Sequence, residues 1–98
     1  MEKLVRSQLQ AAQATVPHWT RRGQVIGRTF EFGDFVAALK FVNAVARAAE
    51  KAQHHPDIDI RWNRVRLALT THDAGGLTDR DFALAQTADR LATQRAGR

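Results

Sequence analysis

The chain contains no cysteine, only two prolines and no long run of apolar residues. Without cysteine it forms neither disulfides nor thiolate metal sites, and it has no cysteine nucleophile. Its apolar segments fall well short of the roughly 20 residues that a transmembrane helix needs. The first residues, MEKLVRSQLQAAQ, have an early acidic residue and a helical period where a signal peptide has an apolar segment. We therefore expect a cytoplasmic protein.

The composition is that of an ordinary globular protein, with 44% hydrophobic and 26% charged residues. Residues 1–98 are enough for a single domain with one hydrophobic core. The net charge of +5 comes chiefly from arginine, which supplies 12 of the 15 basic residues. These arginines are scattered, so no helix face becomes a basic stripe, and the aromatic residues are too few for base stacking. Both patterns argue against nucleic-acid binding.

Changes of hydrophobic period divide the first half of the chain. Apolar residues at helical spacing predict a first helix over residues 2–14. Residues 18–32 alternate with a period of two, which predicts two strands joined by a turn near Gly23 and Gln24. One face of the second strand is expected to carry Ile26, Arg28, Phe30 and Phe32.

A long middle helix is predicted from the candidate N-cap Asp34 to about Gln53, before Pro56. It has two adjacent apolar stripes. The first stripe contains Phe35, Leu39, Val42, Ala46 and Ala49, and the second contains Phe41, Val45 and Ala48. Because one sheet face needs only one stripe, we expect the second to contact another subunit.

Residues 58–62 and 65–70 predict a second hairpin with its turn at Asn63–Arg64. Its inward residues are expected to be Val65, Leu67 and Leu69. Thr78 is a candidate cap of a last helix that extends to about Thr93. The order α-β-β-α-β-β-α indicates an α+β fold, a four-stranded antiparallel sheet with three helices on one face.

The segment EKAQHHPDIDIRW places two of the four histidines side by side before a proline. Glu50 precedes His54 by one helical turn, so its carboxylate is expected to orient that imidazole and to stabilise its protonated form. His55 is rotated by about 100° around the helix, so the two rings could address two sides of one ligand. His72 follows the last strand, and we expect Asp81, in the first turn of the last helix, to support it. These residues form a candidate acid–base site.

Each of these residues also has a structural interpretation. His54 and His55 could complement the negative end of a helix as cations. Asp81 matches a capping box with Thr78 in the sequence TDRD, and His72 could be a loop residue. A metal site is a poorer interpretation, because adjacent histidines seldom bind one ion and no second carboxylate completes the ligand set. We therefore expect no metal.

The spacing of these residues resembles the signature of the pterin-4a-carbinolamine dehydratases. The pattern is Glu50, three residues, His54-His55-Pro56, five residues, Trp62, nine residues, His72, eight residues and Asp81. Further matches are FEFGDF, HHPDI, WNRV and TTHDAGGLTDRDFALA, so the resemblance covers nearly the whole chain. It implies dehydration of a 4a-hydroxytetrahydropterin to quinonoid dihydropterin, in tetrahydropterin recycling, without metal or organic cofactor.

The resemblance also implies roles for individual residues. His54 and His72 would act as the acid and base, His55 would chiefly hold the pterin, and Glu50 and Asp81 would support the histidines. The implied substrate-binding residues are His54, His55, Pro56, Thr71, His72 and Asp73.

Family members have a four-stranded antiparallel sheet with three helices on one side, in agreement with the predicted order. They assemble as dimers or tetramers, so a homodimer or homotetramer without membrane contact is expected. Some also serve as dimerisation cofactors of a homeodomain transcription factor, which leaves a non-catalytic binding role as the alternative. The three histidines favour catalysis, because a pure scaffold has no physical need for them.

Overall fold

The helices and strands follow one another in the order that the sequence predicts. The structure, a computed structural model, describes residues 2–96. Its elements are α1 (Arg6–Ala14), β1 (Thr20–Arg22), β2 (Val25–Glu31), α2 (Phe35–Ala52), β3 (Asp57–Arg61), β4 (Arg64–Leu69) and α3 (Asp79–Ala96). The α+β prediction is confirmed, although α1 begins at Arg6 rather than at residue 2. Within the described residues, no helix is long and apolar enough to cross a membrane.

The four strands form one antiparallel sheet in the order β1-β2-β4-β3. The two hairpins meet in the central pair of β2 and β4, where Ile26 lies opposite Leu69 and Phe30 lies opposite Val65. All four side chains are buried on the same face, because alternate residues of a strand point to the same side. Each helix adds residues to this one core, which includes Leu9 of α1, Phe41 of α2 and Phe82 of α3.

A polar contact on the same face fixes α3 against the sheet. Arg28 donates to Asp89 of α3 over 2.7 Å, and the indole N–H of Trp19 donates to the same oxygen over 2.8 Å. The arginine predicted among the inward residues of β2 is therefore half-buried and paired. This contact holds α3 in the position from which its first turn reaches the end of α2.

The second hairpin turns one residue earlier than the sequence predicts, at Trp62–Asn63. Trp62 has a left-handed φ of 52°, which is rare for a large side chain. Asn63 is held at the end of β2, because its side chain donates to the carbonyl of Phe32 (2.8 Å) and its own carbonyl accepts from the Phe32 N–H (2.9 Å). This anchor decides which residues form the turn.

The predicted role of the second apolar stripe on α2 is wrong, and that of the first is right for Ala49 but wrong for Phe35. Phe41 and Val45, expected at a subunit contact, are 0% and 1% exposed and belong to the core. Phe35, from the stripe assigned to the sheet, is 46% exposed. Both stripes are equally apolar in sequence, so only the way the helix lies across the sheet decides which one is buried. The N-cap prediction is confirmed, since the Asp34 carboxylate accepts from the N–H of Ala37 over 2.8 Å.

The end of α2 reverses the direction of the chain before Pro56 is reached. Gln53 has left-handed φ and ψ of 54° and 42°. The N–H of His54 then donates to the carbonyl of Ala49 over 3.0 Å, a pairing typical of the Schellman motif. Because of this reversal, His54 and His55 lie beyond the helix and do not follow its spacing.

Candidate active site

A buried histidine–carboxylate pair connects the end of α2 with the first turn of α3. Nε2 of His54 lies 2.5 Å from Oδ1 of Asp81, and the two residues are only 8% and 0% exposed. The predicted pairings, Glu50 with His54 and Asp81 with His72, are both wrong. The left-handed residue Gln53 takes His54 off the helix face that carries Glu50 and brings it to α3.

The second carboxylate oxygen of Asp81 caps α3. Oδ2 accepts from the N–H of Thr78 over 2.9 Å and from the hydroxyl of Thr71 over 2.8 Å. The carboxylate half of the predicted capping box is therefore present, whereas the Thr78 hydroxyl accepts from the N–H of Arg80 rather than from that of Asp81. The Thr78 N–H and the Thr71 hydroxyl both donate to Oδ2, and the helix N-terminus favours negative charge, so the site suits an ionised carboxylate.

The contact with Asp81 also determines what His54 presents to its surroundings. Because a carboxylate only accepts hydrogen bonds, Nε2 carries a proton. Nδ1 makes no hydrogen bond to any described residue. Among the described side chains, Gln13 Oε1 alone is both fully buried and without a partner, so Nδ1 keeps contact with solvent. His54 is thus held at one ring nitrogen and open at the other.

The neighbouring histidine has a different environment. Nε2 of His55 lies 2.5 Å from Oε2 of Glu50, and their side chains are 59% and 72% exposed. Glu50 therefore supports His55 rather than His54. The pair lies at the surface, where it can restrain the ring without excluding water.

His72 begins a short 3₁₀ turn, His72–Ala74, in the loop after β4. Two backbone hydrogen bonds between Thr71 and Gly76, of 3.3 and 3.2 Å, close the base of this loop. Gly75 has a φ of 76°, a left-handed conformation that glycine adopts without strain. The closed loop presents the exposed His72 ring at a defined place.

The three histidines meet at one cleft of about 230 Å³. It is lined by Gln53, His54, His55, Thr70, Thr71, His72, Asp73 and Arg80. Of the predicted substrate-binding residues, Pro56 is absent from this lining. No group of three or more histidine or carboxylate side chains within residues 2–96 converges closely enough to hold a metal ion.

A larger cavity, of about 680 Å³, lies between α1 and the first hairpin. It is lined by Leu4, Arg6, Leu9, Gln10, Gln13, Arg21 and Gln24. This lining contains arginine and amide side chains but no histidine or carboxylate that could exchange protons near neutral pH. The smaller histidine cleft is therefore the candidate active site.

Three residues of the cleft lining, Gln53, Thr70 and Arg80, were not predicted as site residues, and Arg80 is the charged one. Its guanidinium donates to the carbonyl oxygens of Ala52 (3.0 Å) and Gln53 (2.7 Å). These are carbonyls at a helix end, where intrahelical partners run out. The unpaired carbonyls at the end of the predicted middle helix indicated that some donor was needed there. The scattered arginines gave no basis for identifying Arg80 as that donor. Arg80 and Asp81 together join the first turn of α3 to the histidine segment.

Known proteins are similar to this chain in sequence and in fold. The family model for pterin 4 alpha carbinolamine dehydratase matches residues 2–91. A protein of Acidobacterium capsulatum, provisionally named pterin-4-alpha-carbinolamine dehydratase, is 55% identical over 93% of this chain and 99% of its own length. A Nocardia farcinica protein with the same provisional name is 52% identical over 93% and 96% of the two chains.

Among solved structures, a transcriptional coactivator/pterin dehydratase from Brucella melitensis is similar, with a TM-score of 0.89. It is 32% identical, and the match covers 93% of this chain and 99% of that one. Sequence and fold thus agree over almost the full length of the relatives. The chain belongs to the pterin-4a-carbinolamine dehydratase family.

Proposed function

We propose that the protein dehydrates 4a-hydroxytetrahydropterin to quinonoid dihydropterin and water, as a step of tetrahydropterin recycling. The observation that carries the proposal is the cleft at which three histidines meet, one of them fixed by a buried carboxylate. Family membership supports the substrate class. The reaction breaks the C4a–O bond and the N–H bond of the adjacent ring nitrogen, and forms a C=N bond. It therefore needs one proton acceptor and one proton donor.

His54 is the proposed acceptor. Its Nε2–H is held by Asp81, so Nδ1 is the nitrogen left to take the proton from the pterin ring. Proton uptake converts the ring to imidazolium beside a buried carboxylate, and opposite charges attract more strongly there than in water. Asp81 thus stabilises the charge that appears on His54 during the reaction.

His72 is the proposed donor to the leaving hydroxyl group. It is exposed on the loop after β4, so it can regain its proton from solvent between turnovers. His55 lies on the same cleft and is restrained by Glu50, which suits a residue that holds the pterin. A purely protein-binding role makes no use of the Nδ1 atom that His54 leaves free of hydrogen bonds to the described residues at this cleft.

The direct test is to add the protein to chemically generated 4a-carbinolamine and to follow the loss of its ultraviolet absorbance. We expect dehydration faster than in buffer. The matched control is a variant with both His54→Ala and His72→Ala, purified in the same way, which should give the buffer rate. Equal rates for the wild type, the control and buffer would contradict the proposal.

We also infer that copies of this chain associate through apolar side chains that the fold leaves exposed. Phe35 and Val36 of α2 are 46% and 58% exposed, and Ile58 and Ile60 of β3 are each 37% exposed. β3 pairs only with β4 in the described chain, so its other edge is open.

Lysine substitutions on α2 test this inference. Val36→Lys should give smaller particles in sedimentation with an unchanged helical spectrum, because the charge would be desolvated at the contact. Val45→Lys is the contrasting variant. It should unfold the chain, because Val45 is 1% exposed. A Val36→Lys particle of wild-type size would contradict the inference for this part of α2.

A further inference from the structure

We propose that the Thr71 hydroxyl is a positioning group for Asp81, and through it for His54, and that it does not bind substrate. The family resemblance implies the opposite, since it puts Thr71 among the pterin-binding residues. The kinetic part of this inference rests on the proposed function, whereas its structural part does not.

The donors and acceptors around Thr71 can be assigned one by one. Its Oγ1 lies 2.8 Å from Oδ2 of Asp81 and 2.9 Å from Oγ1 of Thr78. A hydroxyl has one proton and a carboxylate can only accept, so Thr71 donates to Asp81. The Thr78 hydroxyl must then donate to Thr71. Thr78 in turn accepts from the backbone N–H of Arg80 over 3.2 Å, so a directed chain of hydrogen bonds leads from the backbone of α3 to Oδ2 of Asp81, and His54 donates to the other oxygen of that carboxylate.

The backbone of Thr71 is also fully engaged. Its N–H donates to Gly76 (3.3 Å), and its carbonyl accepts from Gly76 (3.2 Å) and from Ala74 (3.1 Å). The residue is 5% exposed. Each of its polar groups thus already has a partner within the chain, which leaves little capacity for a hydrogen bond to a ligand.

The chain of hydrogen bonds fixes which oxygen of Asp81 faces His54. Two donors, the Thr78 N–H and the Thr71 hydroxyl, converge on Oδ2 and leave Oδ1 for the imidazole. Without the Thr71 hydroxyl, one donor would remain and the carboxylate could rotate about its Cβ–Cγ bond. Loss of outer hydrogen-bonding partners of metal-bound histidines lowers activity about 10–100-fold, and we expect the lower part of that range here.

Two variants separate positioning from substrate binding. Thr71→Val keeps the shape but removes the hydroxyl, and Thr71→Ser keeps the hydroxyl. We expect Thr71→Val to lower kcat about 10-fold with KM changed less than about twofold, and Thr71→Ser to stay near wild type. Thr71→Ala replaces the valine variant if valine prevents folding.

Nitrogen-15 NMR of the His54 ring in the ligand-free protein gives a readout that does not depend on activity. The wild type and Thr71→Ser should show the proton on Nε2, whereas Thr71→Val should show a mixture of the two tautomers. A raised KM with unchanged kcat would identify Thr71 as a substrate ligand and overturn the proposal. An unchanged His54 spectrum in Thr71→Val would also overturn the proposal. This outcome is independent of which reaction the protein catalyses, because the spectrum is recorded without substrate.

Discussion

Two histidine–carboxylate pairs lie within a few residues of each other, and the same distance, 2.5 Å, separates the interacting atoms in both. The pair of His54 and Asp81 is buried, and the pair of His55 and Glu50 is largely exposed. Attraction between charges grows as water is excluded, and breaking a buried pair leaves one polar group unpartnered. Exposed pairs contribute only about 0.2–1 kcal/mol. Burial, not distance, therefore separates the two roles.

The pairs also differ in what they connect. Glu50 and His55 are five residues apart and belong to one turn of chain, whereas His54 and Asp81 are 27 residues apart and join two helices. Asp81 is further held by the cap of α3, while Glu50 has no comparable support. Substitutions at the buried pair should thus have larger effects, and substitutions at four positions test this order.

The largest effect is expected for His54. His54→Ala should lower kcat by about 10²–10⁴-fold, the usual loss when a general acid or base is removed. His54→Gln is the matched control, because its amide can still donate to Asp81 but cannot transfer protons. It should fold as stably as wild type and be as inactive as the alanine variant. Steady-state activity of His54→Gln within threefold of wild type would exclude His54 as the base.

Asp81→Asn should come next. Two donors converge on the Oδ2 position, so the amide oxygen must lie there and the NH₂ group must face His54. The ring would then accept at Nε2 and carry its proton on Nδ1, the wrong tautomer for a base. We expect kcat to fall by about 10² or more, while the melting temperature changes by a few degrees. A lower melting temperature with unchanged kcat would leave capping as the only role of Asp81.

His55→Ala should have a smaller and different effect. If this ring holds the pterin, its loss removes binding that is equal in the ground state and the transition state. One lost hydrogen bond corresponds to a rise in KM of about threefold to tenfold, with kcat little changed. A large fall in kcat would instead make His55 part of the proton transfer.

Glu50→Gln should have the smallest effect, below about fivefold in KM, because an exposed pair contributes so little. Activity measured at high salt distinguishes the exposed pair from the buried pair, because salt screens exposed charges far more than buried ones. In 1 M salt, which shortens the screening length to about 3 Å, Glu50→Gln and wild type should converge. Asp81→Asn should remain impaired under the same conditions. A salt-insensitive defect in Glu50→Gln would remove the distinction between the pairs.

Much of the fold could be predicted from periodicity and capping. Alternation identified the inward residues of β4, which are buried as expected, and Asp34 was recognised as a cap from its position before an apolar helix. Most residues of the candidate site could be named through the family resemblance, but the hydrogen-bonding partners of its histidines could not. Helical spacing assigned Glu50 to His54 because it assumed that the helix continued, whereas Gln53 reverses the chain.

The other differences have a related cause. The left-handed residue Trp62 shifts the second turn, and no pattern of apolar residues indicates a positive φ at such a side chain. Likewise, the two stripes of α2 are equivalent in sequence, and only packing in three dimensions distinguishes Val45 from Phe35. Local periodicity reports which residues share a face, and it does not report which face meets which neighbour.

The double use of Asp81 has a consequence for how this sequence would diverge. In a descendant without the proposed dehydratase activity, selection on the chemistry would be absent and selection on folding would continue. His54 could then change to another donor such as glutamine, while Asp81 would still be required by Thr71, Thr78 and the cap of α3. Aspartate at this position is therefore a poor indicator of activity in a distant relative, and histidine at position 54 is a better one.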